Sequence, residues 1–312
     1  ASHTCPRSCH PSHYQTLHAM WTRVLPAWHW APLLASLASP CTGIALRIDG
    51  RRSNPSQRCL KFMHIPKSAG SSIVHANLEL PRAERPFKCL ECEMLERLAA
   101  ANPWYSGKLW QIDMHVNMTV AEQLNLSHLI EQRDGQPGDH CSEEHSPPNM
   151  DPGLAAFYLE DGCETFCVVR EPVSRFLSAA RMNLACLGDK GARCSPEGFE
   201  AWTRSHLAEL RRRPCTTGCL FRRQVHMVYG APRQSVAQAK YCGRILRYEN
   251  ITGEFNALMK EYGSSLTMPT DKFASFRYAC NISTDTITAA TRDMIIDYYR
   301  GDMAAFGYTQ MA

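Results

Sequence analysis

Cys59-Leu60-Lys61-Phe62-Met63-His64-Ile65-Pro66-Lys67-Ser68-Ala69-Gly70-Ser71-Ser72 is the stretch on which the reading of the whole chain turns. It reads as a short apolar strand, then a tight turn, then the start of a helix that runs from about Ser71 to Leu80 and stops before Pro81. The turn carries one lysine, one glycine and three hydroxyl residues. Backbone N–H groups at a helix N-terminus face outward with partial positive charge, so such a turn is suited to an anion. Lys67 adds a full charge, and Ser68, Ser71 and Ser72 add hydroxyl donors. The order of residues is not that of a Walker A loop, which ends on Lys and Ser/Thr after two spaced glycines. Two readings stand at this point: a phosphate cradle, or a plain helix start after a strand with Lys67 in water.

The 312 residues allow one large α/β domain or two small ones. A net charge of +4 is too mild to argue for nucleic acid as a partner, but it suits an anionic ligand. Fifteen cysteines are many for a cytosolic enzyme of this size. Several come in close pairs: Cys5/Cys9, Cys89/Cys92, Cys163/Cys167, Cys186/Cys194 and Cys215/Cys219. Disulfides of a lumenal or secreted protein compete here with zinc, and Cys89-Leu90-Glu91-Cys92 is the one CxxC. Cys167, inside an apolar strand, reads as a buried core residue. Four sequons, at Asn117, Asn125, Asn250 and Asn281, favour the secretory route.

Residues 1–58 differ in character from the rest and read as an N-terminal extension, with the catalytic domain at 59–312. Val24 to Leu46 carries no Asp, Glu, Lys or Arg. That length suits a signal-anchor helix and stem; Pro26, Pro32 and Pro40 within it suit an irregular apolar extension instead.

Further on, Lys108–His115 predicts a second strand ending on His115, and 119–132 a helix. Asp134–Gly153 predicts a surface loop, and Thr165–Val169 a buried parallel strand. Helices are expected over Val173–Ala185, Glu197–Arg213, Cys219–Tyr229, Arg233–Lys240, Thr252–Tyr262 and Thr286–Tyr299, with a strand at Arg244–Tyr248. Strands alternating with helices imply a parallel sheet covered on both faces, with ligands at the carboxyl ends of its strands. Lys67, His115 and Arg170 each end or follow a strand, so all three fall on one rim. In Arg170-Glu171-Pro172-Val173-Ser174-Arg175-Phe176-Leu177-Ser178, an arginine leaves a strand and two serines share a helix face, which makes a phosphate fork. The competing reading pairs Arg170 with Glu171 or Glu249. Two phosphate sites on one rim suit a nucleotide with phosphates at both ends of its ribose.

At this point the sequence resembles the Golgi-type carbohydrate sulfotransferases, heparan/chondroitin-like enzymes. Residues 64–72 look like their 5′-phosphosulfate loop and 168–178 like their 3′-phosphate motif. Leu246–Ile251 with Phe255 resembles their late strand, and Ile295–Tyr308 their closing helix; the match runs in order over about 59–310. The resemblance implies an α/β, P-loop-like parallel sheet flanked by helices (the sulfotransferase fold) in a single catalytic domain. It implies 3′-phosphoadenosine 5′-phosphosulfate as co-substrate, no metal, a glycan or other hydroxyl-bearing acceptor, and residence in the Golgi lumen as a single-pass type II membrane protein. Lys67, Ser68, Ala69, Gly70, Ser71 and Ser72 would hold the 5′ end, and Arg170 with Ser178 the 3′-phosphate. The chain departs mildly at Ser68 and Glu171, where relatives often carry Thr and Asp, and matches poorly over 81–160.

Transfer of a sulfuryl group rests on positioning and on charge stabilisation at the leaving phosphate, which is the part assigned to Lys67, and on a base for the acceptor hydroxyl. The family places a histidine or glutamate between the two phosphate motifs. His115 is the choice and His64 the rival, while His140 and His145 sit in a polar loop. Arg211–Arg213, Arg222 and Arg223 could line an anionic glycan track, and Gln224 could face the acceptor. Two other classes remain in play: a P-loop-type phosphotransferase, and an inactive nucleotide- or glycan-binding module on the same fold.

Overall fold

The computed structural model describes residues 59–93, 96, 132–133, 140–141, 145–150, 152–186, 192–213, 219–232, 239–269 and 282–308. The N-terminal extension, the 108–115 strand with His115, most of the 119–132 helix and the 233–240 helix lie outside these residues, apart from the last two positions of the latter. Six strands are described: β1 (Leu60–Met63), β2 (Phe87–Cys89), β3 (Gln132–Arg133), β4 (His140–Cys141), β5 (Glu164–Val169) and β6 (Arg244–Arg247). β3 and β4 form a small antiparallel ribbon. The other four make one sheet in the order β2-β1-β5-β6, and every neighbouring pair is parallel.

The helices whose bounds lie among the described residues cover or flank this sheet: α1 (Gly70–Leu78), α2 (Pro152–Leu159), α3 (Pro172–Cys186), α4 (Pro196–Arg212), α5 (Gln224–Tyr229), α6 (Ile251–Glu261), α7 (Ala289–Tyr298) and α8 (Arg300–Phe306). Strand alternation explains the layering. Leu60, Phe62, Phe166, Val168 and Leu246 turn to one face and pack with Ile73 and Val74 of α1 and Phe255, Leu258 and Met259 of α6. Met63, Cys167 and Val169 turn to the other, against Tyr158 of α2, Met227 and Val228 of α5 and Phe306 of α8. A third cluster joins Phe176, Leu177 and Ala180 of α3 to Phe199 and Leu207 of α4 and Ile295 of α7. The apolar face of α3 is therefore the one that is buried.

Lys61 breaks the apolar pattern of β1 and is only 1% exposed. Its Nζ donates to the carbonyls of Phe157 and Glu160, the latter at 2.9 Å, and lies 3.4 Å from Asp161 Oδ2. These oxygens close the C-terminal end of α2, where carbonyls lack helical partners. The lysine thus supplies what the helix end needs.

The order of strands places the divergence of the chain. α1 carries the chain from β1 towards β2 on one side, whereas β5, on the other side of β1, leads away to β6. Such a divergence opens a crevice beyond the carboxyl ends of the two middle strands, here β1 and β5.

Several expectations change. The 134–153 segment is not wholly a surface loop: Ser146 to Asn149 are buried, because the Asn149 amide pairs with both main-chain groups of Ala231, at 2.7 and 2.8 Å. α2 follows directly and was not foreseen. The helix expected over 219–229 begins only at Gln224, since the Asp302 carboxylate takes the N–H groups of Gln224 and Val225 at 2.9 Å each and so ends the preceding turn there. Cys163 and Cys167 are not partners. Cys163 bonds Cys59, and Cys167, read as a plain core residue, bonds Cys242. Cys89 and Cys92 bond each other, which removes the CxxC as a zinc site. Cys194 and Cys219 are also in disulfides.

The Cys59–Cys163 bond ties the N-terminal ends of β1 and β5 across 104 residues of chain. Closing so long a loop restrains the unfolded chain most. A Cys59→Ser/Cys163→Ser variant is expected to lose about 2–5 kcal/mol, read as a lower midpoint in non-reducing urea unfolding.

Candidate anion-binding site

The turn between β1 and α1 is backbone-strained. Lys67 and Ala69, neither a glycine, have φ of 65° and 68°, a region that costs on the order of 1 kcal/mol or more each. Three contacts hold it there. Arg170 Nη1 donates to the Lys67 carbonyl at 3.3 Å, and Arg175 Nη1 lies 3.5 Å from the Pro66 carbonyl. From below, the His64 ring packs against Gly70 so closely that a Cβ at position 70 would land on the imidazole. This is why glycine opens α1: close approach, not a positive φ.

The result is an open helix start. The residue before α1, Ala69, offers no side-chain cap, and the first turn carries no acid. The Ala69 carbonyl accepts from Ser72 and Ile73 at 3.1 Å each. Ser68 is fully buried, and its Oγ has no hydrogen-bond partner. Buried hydroxyls are normally satisfied, so this one is a donor in want of an acceptor.

β5 delivers the second part. Arg170 follows Val169 directly, and its guanidinium lies 4.1 Å from the centre of the Tyr248 ring. Its main chain is clasped on both sides by the Gln224 amide, N–H to Oε1 at 2.9 Å and Nε2 to C=O at 2.8 Å. Gln224 is fully buried by this, so it does not face an acceptor as expected. The two neighbouring glutamates attract Arg170 by charge, but their hydrogen bonds go to main-chain N–H groups. Glu171 caps α3 through the N–H groups of Val173 and Ser174 at 2.9 and 2.7 Å, and Glu249 accepts from the Glu171 N–H at 2.7 Å. The start of α3 is therefore filled by its own carboxylate. Any anion near Arg170 must rest on side chains, not on that helix end.

The two motifs meet. Lys67 Nζ lies 3.5 Å from Met182 Sδ on α3. Burial, reinforced by the charges of Arg170 and Arg181, lowers the Lys67 ammonium to about 8. Burial likewise pulls the Arg170 guanidinium down, with Arg181 adding to the lowering, while Tyr248, Glu249 and Glu171 oppose it. The charges of Lys67, Arg170 and Arg181 thus act on one another, offset in part at Arg170 by Glu249 and Glu171, and such a grouping of cations is suited to an anion. Arg181 was not singled out from the sequence. Its signal was its place three residues after Ser178, on the same side of α3. Ser178 is itself buried on that helix.

His115 lies outside the described residues. Its rival, His64, is 7% exposed, and its Nδ1 is hydrogen-bonded to Glu91. Its ring also meets that of His145 edge-on at 5.1 Å, so His145 is half-buried packing and not an exposed loop residue. Of the arginines proposed for a glycan track, Arg222 is buried and Arg212 and Arg213 turn to Glu209. Arg211 and Arg223 do line a cavity of about 310 Å³ with Asp297, Tyr298 and Arg300. Among the described residues no cluster of His, Cys, Asp and Glu is arranged to hold a metal, and no helix is long and apolar enough to cross a membrane.

Comparisons with protein-family models, with curated proteins and with solved structures return no match.

The His64–Gly70 contact makes a sharp test. In an ordinary helix Gly→Ala stabilises by up to about 1 kcal/mol. Here Gly70→Ala is expected to destabilise by about 1–3 kcal/mol through overpacking. In a His64→Ala background the same change should become neutral or favourable, and denaturant melts of the four chains measure that coupling.

Proposed function

We propose that this chain is a sulfotransferase that moves a sulfuryl group from 3′-phosphoadenosine 5′-phosphosulfate to a hydroxyl of a carbohydrate acceptor. The observation that carries the reading is the meeting of Lys67, Arg170 and Arg181 beside an uncapped helix start, at the crevice between β1 and β5. On this reading the N–H groups of Gly70 and Ser71 with the hydroxyls of Ser68, Ser71 and Ser72 receive the 5′ end of the donor. Arg170, Ser178 and Arg181 receive its 3′-phosphate. Lys67 neutralises charge that builds on the leaving phosphate oxygen. The acceptor hydroxyl attacks sulfur in line, the S–O bond to the 5′-phosphate breaks, and the hydroxyl proton passes to a general base, for which His115 is the candidate. A glycan bearing acidic groups suits the cavity that holds Arg211, Arg223 and Arg300 against one Asp297. The disulfides suit an oxidising secretory compartment, so the Golgi lumen is the proposed site of action.

Lys67→Ala and Arg170→Ala should each lower sulfate transfer from labelled donor by at least about 100-fold. Arg181→Ala should weaken binding of 3′,5′-bisphosphoadenosine by about tenfold. His115→Ala should abolish transfer yet bind the bisphosphate as the parent chain does; transfer at the parental rate would remove His115 from the mechanism. Thermal stabilisation by ATP with magnesium, and none by the bisphosphate, would favour a phosphotransferase instead.

The lowered Lys67 predicts a pH dependence. Below pH 8 the ammonium is charged and can meet a phosphate, and above it the free protein loses that proton. Affinity for the bisphosphate should fall by up to about tenfold per pH unit above 8, with proton uptake on binding there. Lys67→Arg should flatten this fall, as calorimetry in buffers of different ionisation enthalpy would register. For stability the sign is opposite: between pH 8 and 10.5 the unfolded chain holds the proton that the folded one has lost, so this group's contribution rises with pH.

A further inference from the structure

The Cys89–Cys92 disulfide has no part in the chemistry above, yet it packs against α1, the helix that the cradle opens. Cys89 ends β2 and is paired in register with Phe62 of β1, so one end of the four-residue ring is fixed in the sheet. Both sulfurs are buried, and the Cys92 N–H points back at Cys89 Sγ at 3.0 Å. The ring grips α1 at two places. Asn77, near the end of α1, donates to Cys92 Sγ at 3.4 Å and to the Phe87 carbonyl at 3.1 Å. Glu91, inside the ring and 4% exposed, is hydrogen-bonded to His64 Nδ1, and the other edge of that imidazole is the surface on which Gly70 rests.

We propose that Glu91 and His64 are positioning residues for the anion cradle, and that closure of the Cys89–Cys92 ring sets them. The inference rests on reading the cradle as an anion site. With only two residues between the sulfurs, the closed ring leaves Glu91 little freedom of backbone, and the carboxylate holds the imidazole under the first turn of α1. A dithiol reductant supplies two electrons and two protons, opens the S–S bond to two thiols and leaves as its own disulfide. Glu91 then gains the freedom of an ordinary loop, and the strained turn at Lys67–Ala69 loses the support beneath it. Thiol–disulfide state thereby controls how tightly the cradle holds a phosphate or phosphosulfate group.

The test compares the full chain with Glu91→Ala, Glu91→Gln and Cys89→Ser/Cys92→Ser by native-state hydrogen exchange, alongside affinity for 3′,5′-bisphosphoadenosine. Glu91→Ala and the double serine variant should speed exchange at the amides of Gly70–Ile73 about tenfold and leave β5 and β6 unchanged. Affinity should weaken in parallel, also about tenfold. Glu91→Gln, which keeps a hydrogen bond to His64, should restore both to within about threefold of the parent. Unchanged exchange at Gly70–Ile73 in the double serine variant overturns the proposal, and so does an equal rise throughout the sheet. Should that variant fail to fold, stepwise dithiothreitol treatment of the parent chain, with the open pair identified by alkylation after quenching, reads the same amides. A parent chain that binds no bisphosphate but shows the local exchange pattern keeps the positioning role and removes the donor assignment instead.

Discussion

Arg175 is the constraint on which the site depends. It is the largest fully buried side chain of the protein's described residues. A guanidinium out of water is costly unless its donors are met. Here three main-chain carbonyls surround it, those of Pro66, Leu220 and Arg222, at 3.5, 3.2 and 2.6 Å, while the Tyr299 ring lies 5.1 Å away. One charge thereby joins the turn after β1 to the segment before α5. Asp302, also buried, fastens that segment to α8, and Gln224 passes the restraint on to the main chain of Arg170. Burial pushes the Asp302 carboxyl up, and Arg175 with the N–H groups of Val225 and Gln224 opposes the rise.

This chain of contacts explains how a turn with two non-glycine residues in left-handed conformation persists. Such strain survives only where surroundings over-determine it. Arg175 and Arg170 pull on two successive carbonyls of the turn, and His64 supports it from beneath. What the strain achieves is a helix start without a side-chain cap, a buried serine hydroxyl without an acceptor and an ammonium under the charge of two arginines. Preorganised donors of this kind cost nothing to align when an anion arrives.

Much of the fold was legible in order along the chain. β1 lies within the stretch read as strand and cradle, and α1, β5, α3, α4, β6 and α6 fall within a residue or two of their predicted bounds, because each has a clean period and a Pro or Gly near its edge. The misses have physical causes. α2 sits behind a stretch so rich in Pro, Gly and Asp that it read as a continuous loop, and Lys61, a strand residue, completes its far end. The late start of α5 depends on a carboxylate 78 residues away. Cys167 looked like a core residue and is one, but its bond to Cys242 crosses from β5 to the segment before β6, a pairing that close spacing concealed. Arg170 and Lys67 stood out as cations after strands. Arg181 and Glu91 did not, since a helix surface and a CxxC loop each have commoner explanations.

By itself, then, the sequence determined the alternation of strand and helix, the covered parallel sheet and the two places where cations and hydroxyls follow a strand, because these are local matters of period, turn chemistry and charge. Only the tertiary structure decided that the two places adjoin, which cysteines bond, and that Gln224 turns inward to Arg170 while Glu171 serves its own helix. Those outcomes depend on strand order and on buried groups finding partners far along the chain, and a side chain's partner in the interior is chosen by the fold as a whole, not by its neighbours in sequence.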